Sequence, residues 1–247
     1  MVDGADAEGW SEVASGWSEL WGAFALPAQR ALIAASGIGP GTRVLDAGCG
    51  TGEFLAVLRE VGADPIGVDP ASGMRELAEA RGFTVKRGDA EHLPLADASV
   101  EVVTAVNALH FADDTTAALR EFARVLVPGG LVAVANWAEH SSNDVDVIER
   151  ALAEADGDEP PPDGPLSTAG GLEAAVTDAG LRVVASGVVD TPWRAADDDT
   201  LIRGILLGED AAGLAERGPT VIAAAEPFRD GSGYLLRNAF RWVVAKT

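Results

Sequence analysis

The sequence predicts an α/β fold built on a doubly wound sheet, and three observations carry that expectation. From residue 43 to residue 137, short aliphatic and β-branched runs alternate with amphipathic helical stretches. A glycine-rich turn, Gly48-Cys49-Gly50-Thr51-Gly52, joins the first run to a helix. Polar residues stand at or just past the ends of four successive runs, at Asp46, Asp69, Asp89 and Asn107. Such alternation means parallel strands with crossover helices on both faces, and ligands of these sheets bind outside the carboxyl ends of the strands.

Taken in order, Trp10, Trp17, Trp21 and Phe24 recur at helical spacing and predict one helix over about 10–24 with an aromatic face. That face packs on the domain or lids a pocket; an apolar helical stripe usually faces a core. Pro27 opens a second helix to about Ser36, ended by Gly37–Gly41. Strands follow at 43–47, 65–69, 83–88 and 99–106, with helices at 53–61 and 72–81 between them. A helix over 114–127 starts at an Asp cap and stops at Pro128-Gly129-Gly130, before a fifth strand at 131–137. Beyond it come a helix at 144–155, a Pro/Gly/acid linker at 156–165, a helix at 168–179 and a strand at 181–190. Two Ala-rich helices within 196–226 and a last strand at 238–245 complete the pattern.

The chain has 247 residues, enough to bury a full core in one large α/β domain with insertions. The expected organisation is a helical cap at 1–36 and a domain at 37–247, with insertions at about 139–165 and 192–236. Its 39 acidic and 18 basic residues give a net charge of −21, and the only lysines are Lys86 and Lys246. A phosphate backbone is repelled by such a surface, so no nucleic-acid partner is expected. A single cysteine, Cys49, rules out an intramolecular disulfide or a Cys-based zinc cluster. Three histidines, at 92, 110 and 140, lack helical metal-site spacing, so no metal is expected. The acidic opening segment is unlike a targeting peptide, and no apolar run approaches the ~18 residues that span a bilayer. The expectation is a cytoplasmic protein off the membrane, a monomer or homodimer.

The chemistry concentrates in Val44-Leu45-Asp46-Ala47-Gly48-Cys49-Gly50-Thr51-Gly52. Glycines let the backbone turn off the strand and lie against a ligand, at the N-terminus of a helix. The dinucleotide fingerprint asks for a sixth-position glycine, where this chain has Glu53. Glu53 and Asp46 flank the loop and suit a ligand with a cationic end and no phosphate, which argues against a nicotinamide oxidoreductase. Asp69 ends the second strand, 23 residues after Asp46, where an acid accepts hydrogen bonds from both ribose hydroxyls. Asp89-Ala90-Glu91 and Asn107-Ala108 follow the third and fourth strands, facing the same crevice.

On these stretches the chain resembles class I S-adenosylmethionine-dependent methyltransferases, of the small-molecule group that includes the ubiquinone/menaquinone-biosynthesis-like enzymes. The matching segments are VLDAGCGTG (44–52), GVDPASGM (67–74), GDAEHLPLADASVEVVTAVNALHF (88–111) and LREFARVLVPGGLVAVANW (119–137), with weaker likeness in 168–190 and 236–246. The resemblance implies a Rossmann-like sheet of seven strands whose last strand is antiparallel. It implies S-adenosyl-L-methionine as cofactor, S-adenosyl-L-homocysteine as product and a small-molecule acceptor methylated at O, N or C. Asp69 would hold the ribose, Asp89 and Ala90 the adenine, and Asp46, Gly48 and the Asn107 region the methionine end. The whole expected cofactor set is Asp46, Gly48, Gly50, Gly52, Asp69, Pro70, Met74, Asp89, Ala90, Glu91, Asn107 and Ala108. Pro70 follows the ribose acid, and Met74 stands where the family packs an apolar side chain on adenine.

Methyl transfer needs alignment more than acid–base help. His110, just past the fourth strand, is the candidate base or substrate contact, or else a loop residue bonded to backbone. Cys49 sits among acids and reads as a small apolar filler rather than a nucleophile. Trp17, Trp21, Phe111, Trp137 and Trp193 are candidates for an apolar acceptor pocket or for core. The alternative is a protein of the same fold that binds the cofactor without methylating, a cyclase-type enzyme or a cofactor sensor.

Overall fold

Three consecutive residues buried on both sheet faces, Val44, Leu45 and Asp46, place the strand Arg43–Ala47 (β1) at the centre of the molecule. The computed structural model describes residues 7–247; the first six residues of the expected cap lie outside the described residues. β1 pairs in parallel with Asp64–Asp69 (β2) on one side and with Val100–Val106 (β4) on the other. Val85–Arg87 (β3) extends the sheet beyond β2, and Leu126–Trp137 (β5) extends it beyond β4. Ala239–Lys246 (β10) enters antiparallel between β5 and Arg182–Asp190 (β6). The seven-stranded order is therefore β3-β2-β1-β4-β5-β10-β6, with the last strand of the chain reversed.

Helices cover both faces, so the central strands are apolar on both sides. Glu53–Glu60 (α3) and Ser72–Ala80 (α4) are the crossovers after β1 and β2. Thr115–Val125 (α5) follows β4, capped by Asp114, whose carboxylate accepts from Thr116 and Ala117 N–H. One core joins Val44, Phe54, Leu58, Ala133 and Phe240 with Leu26–Ser36 (α2), Asp144–Asp156 (α6), Asp198–Ile205 (α8) and Ala211–Ala225 (α9). The opposite core joins Leu45, Val103, Phe122 and Val134 with Gly171–Asp178 (α7). Each fully buried Val or Leu is worth about 1.5–3 kcal/mol relative to water.

Three expectations need correction. The first helix spans Ala7–Leu20 (α1), not 10–24. Pro27 has no N–H and its ring collides with a helical carbonyl four residues back, while Gly22 weakens the segment further. The chain therefore passes Trp21 to Ala25 as a turn, closed by Phe24 N–H to Trp21 O at 3.0 Å and Leu26 N–H to Ala23 O at 3.2 Å. α5 ends at Val125 and β5 begins at Leu126. Pro128 disfavours helical geometry at Val127; Leu126 pairs with Val100 and Leu131 with Val102, so the residues between them loop out of the ladder. The insertion expected at 192–236 holds, besides α8 and α9, a small antiparallel sheet. It is formed by Trp193–Ala195 (β7), Arg229–Asp230 (β8) and Gly233–Leu236 (β9).

Candidate active site

The site is built where β1, β2, β3 and β4 end. Asp46 is 2% exposed and accepts the Thr104 hydroxyl at 2.7 Å, from the residue opposite it on β4. Burial pushes its carboxyl up to about 7; the Thr104 bond opposes this, and the nearby carboxylates of Asp69 and Glu53 add to it. The chain leaves β1 through Gly48, whose φ of +74° belongs to the left-handed region. A side chain there would also stand 2.4 Å from the Ala108 Cβ, so glycine alone lets the β1 and β4 loops touch. A Cβ on Gly50 would meet nothing within 4 Å, leaving open space above the loop.

Asp69 fastens this loop to β2. Its carboxylate accepts Gly50 N–H at 2.8 Å and Ala71 N–H at 2.9 Å. Burial raises its pKa, and the two backbone donors and Arg75 pull the other way. Past β3, Asp89 accepts from Glu91 N–H and pairs with His92, while Glu91 accepts from the backbone N–H groups of Asp113 and Asp114. The β3 loop is thereby tied to the start of α5. Past β4, Asn107 takes a positive φ of 53°, donates its N–H to Ala135 O, and keeps a buried side-chain oxygen without a partner.

These groups face one cavity of about 380 Å³. Of the expected cofactor set, Asp46, Gly48, Gly50, Asp69, Pro70, Met74, Asp89, Ala90, Glu91, Asn107 and Ala108 line it. Gly52 does not: it begins α3 at φ +90°, packed against Ala78 and Phe83. Trp17, Trp21 and Phe111 line the same cavity, whereas Trp193 and Trp137 do not. Trp193 is 3% exposed, stacks on Trp21 at 4.2 Å and donates to Leu20 O, which makes it core. Trp137 packs on Phe24 and Phe240 and faces a second cavity of about 490 Å³.

His110 also faces that second cavity, with Asn136, His140, Asp146 and Ser167. The residue as a whole is exposed, but its ring is desolvated by the surrounding chain, which lowers its pKa to about 4. Asn136 favours the charged ring, though no side-chain hydrogen bond of ordinary geometry joins the two. Cys49 is buried and its thiol is pushed up by burial and by the acids around it, which suits a filler.

Glu53 departs from the sequence reading of an acid held for the ligand. It accepts from Thr51 and Ser18 hydroxyls and pairs with Arg81 at 2.8 Å, while Arg81 also donates to Ser18. Its charge is matched, and the group clasps α1 to α3 and to the end of α4. α1 and α4 touch so closely that a Cβ on Gly73 would stand 2.3 Å from Ser11 O. Roofed this way, the cavity is lined by six carboxylates (Asp46, Glu53, Asp69, Asp89, Glu91, Asp113) and by no Lys, Arg or His among the described residues.

The family described as a methyltransferase domain matches residues 45–134, the strands and loops that form this floor. A demethylmenaquinone methyltransferase of Mycobacterium sp. (strain KMS) is 33% identical over 180 residues, covering 67% of this chain and 76% of that relative. The chain belongs to the class I S-adenosylmethionine-dependent methyltransferases. A malonyl-[acyl-carrier protein] O-methyltransferase of Yersinia pestis is 40% identical over 116 residues, 46% of this chain and 42% of that relative. The chain thus matches less than half of that protein's length. The YcgJ protein of Bacillus subtilis superposes with a TM-score of 0.60 at 21% identity, over 89% of this chain and 97% of that one, which shows the shared fold.

Beside the common floor of these methyltransferases, the cavity has an upper wall that the sequence reading did not assemble. Trp10, Phe24, Phe54 and Gln29 line it. Gln29 lies one turn before the buried Leu32 on α2, and a polar residue on the core side of an apolar helix is a signal readable from sequence. Phe24 enters because the turn at 21–25 folds it back towards Trp17 and Trp21, with ring centroids 6.0 and 5.2 Å away.

Proposed function

We propose that this chain binds S-adenosyl-L-methionine in the 380 Å³ cavity and transfers its methyl group to a small-molecule acceptor. The observation that carries the reading is the convergence of four strand ends, with Asp69 joined to Gly50, on that single cavity. The residues present fit the cofactor. The space over Gly50 is open, and the Asn107 side-chain oxygen is a buried acceptor without a donor. Asp46, Gly48, Asn107 and Ala108 would hold the methionine end, and Asp69 with Pro70 the ribose. Asp89, Ala90, Glu91 and Met74 would hold the adenine. Bound there, the cofactor supplies a methyl carbon made electrophilic by the neighbouring sulfonium.

The protein's own contribution is alignment and exclusion of water. α1 and the turn at 21–25 roof the cavity with indoles, and the strand ends fix the floor, an arrangement that supplies proximity. His110 faces the neighbouring cavity in this structure, so the reading assigns it no proton transfer. The relatives carry methyltransferase names with different acceptors, which favours methyl transfer over cofactor binding alone and leaves the acceptor to the pocket. The net charge of −21 argues against a nucleic-acid acceptor.

Isothermal titration with S-adenosylhomocysteine, and with NADH as control, tests the proposal. Micromolar binding of the first and none of the second is expected. A folded protein that ignores S-adenosylhomocysteine would refute it.

A further inference from the structure

The cavity has two chemically different ends. Around Asp46, Asp69 and Asp89 it is acidic; under α1 and α2 it is aromatic, walled by Trp17, Trp21 and Phe24. The planes of Trp17 and Trp21 lie within 18° of each other at 6.2 Å, and Phe24 stands edge-on to both. From α2, the helix that follows this wall in the chain, one amide lines the cavity, that of Gln29. Gln29 is 5% exposed, its side chain makes no hydrogen bond among the described residues, and it lines the cavity. The polar atoms of this amide are not sealed from solvent, so a ligand in the cavity can reach them without displacing a protein partner.

We infer that the aromatic end is the acceptor subsite, that it takes an uncharged planar acceptor, and that Gln29 sets specificity by hydrogen-bonding that acceptor's one polar group. The inference rests on the methyltransferase reading for the word acceptor. Three features carry it. A wall of three aromatic rings favours an aromatic, planar ligand over a branched chain. The lack of a lining cation among the described residues, against six lining carboxylates, works against a carboxylate or phosphate on the acceptor. A nitrogen that is protonated has no lone pair with which to attack a methyl group, so the attacking atom itself is uncharged. What remains is an apolar ring with one oxygen or nitrogen, for which the Gln29 amide offers both a donor and an acceptor. Gln29 is a positioning residue here and takes no part in bond making.

The test uses three probes of one shape on protein already saturated with S-adenosylhomocysteine: 1-naphthol, naphthalene and 1-naphthoate, by calorimetry near neutral pH. Naphthol should bind about three- to tenfold more tightly than naphthalene, the worth of one hydrogen bond, and naphthoate about tenfold more weakly than naphthol or not at all. In Gln29→Leu the naphthol advantage should vanish while naphthalene still binds. A merely structural role for Gln29 would weaken both probes alike. Gln29→Met, closer in length, replaces the leucine variant if that one melts early, and equal binding of naphthol and naphthalene by the wild type would by itself overturn the inference. Naphthoate binding as tightly as naphthol, or a naphthol advantage that survives the substitution, would overturn the inference. S-adenosylhomocysteine is titrated first, so loss of cofactor binding would count against the proposed function and is distinguishable from failure of the probes alone.

Discussion

Replacing Asp69 by alanine separates two jobs that one carboxylate performs. In the free protein it accepts Gly50 N–H at 2.8 Å and Ala71 N–H at 2.9 Å. The Gly50 N–H opens on the cavity, where water can replace the lost partner. Ala71 is 2% exposed, so its N–H would be left buried and unpaired, at about 1–3 kcal/mol. Relief of the buried charge, which already holds the Asp69 pKa up, offsets part of that loss. The expected net destabilisation is therefore about 1–2 kcal/mol, read as a lower urea midpoint with unchanged slope. Ligand affinity falls by a separate amount. Two ribose hydroxyls lose a charged acceptor, which adds about 1–3 kcal/mol, or roughly five- to 150-fold in the dissociation constant for S-adenosylhomocysteine. Calorimetry at a temperature where both proteins are folded reads that number apart from stability. A variant that binds S-adenosylhomocysteine within about threefold of wild type would refute the ribose assignment, whatever its urea midpoint.

Gly48→Ala meets both a left-handed φ and the Ala108 Cβ at 2.4 Å, and should cost about 2–4 kcal/mol in urea unfolding. Trp193→Ala removes the ring stacked under Trp21 and should cost about 3–5 kcal/mol, with a lowered melting temperature as the readout. Asp46 gives a pH signature. Its folded pKa of about 7 lies above the ordinary aspartate value of 3.8, so between these values the unfolded chain has released a proton that the folded one keeps. Its contribution to stability is present at low pH, falls as pH rises from about 4 to about 7, and is flat above. Asp46→Asn should remove that slope, gaining relative to wild type at about pH 8 compared with about pH 5.5; equal differences at both pH values would refute the shift.

The parts of the molecule legible from sequence are those where one local signal has one structural solution. Val44-Leu45-Asp46-Ala47 followed by spaced glycines makes a strand, a turn and a helix start, and β1 and α3 lie where the pattern puts them. What escaped was decided by contacts between distant segments or by one torsion. Trp21 and Phe24 keep helical spacing in the sequence, but Pro27 unwinds the turn beneath them, so they reach Trp17 by folding back. His110 and Phe111 are neighbours in a single 3₁₀ turn, yet they face different cavities. Spacing carries no information about that divergence. The strands β7, β8 and β9 are two to four residues long, too short for a period of two to register. Glu53 has the local look of a free acid because its counter-charge, Arg81, arrives from beyond the next strand.

The reversed strand β10 also sets an order of assembly. β6 touches the sheet only through β10, which itself fills the slot beside β5. Residues 182–190 therefore have no ladder to join until residues 239–246, some fifty positions later, have been laid against β5. Closing a loop of that length precedes any pairing that rewards it. During synthesis, β1 to β5 can pair as they emerge, whereas β6 waits as an unpaired Val-rich segment, RVVASGVVD. The far edge of the sheet is consequently the last to close on the ribosome and the first place where a stalled chain offers itself to a neighbour.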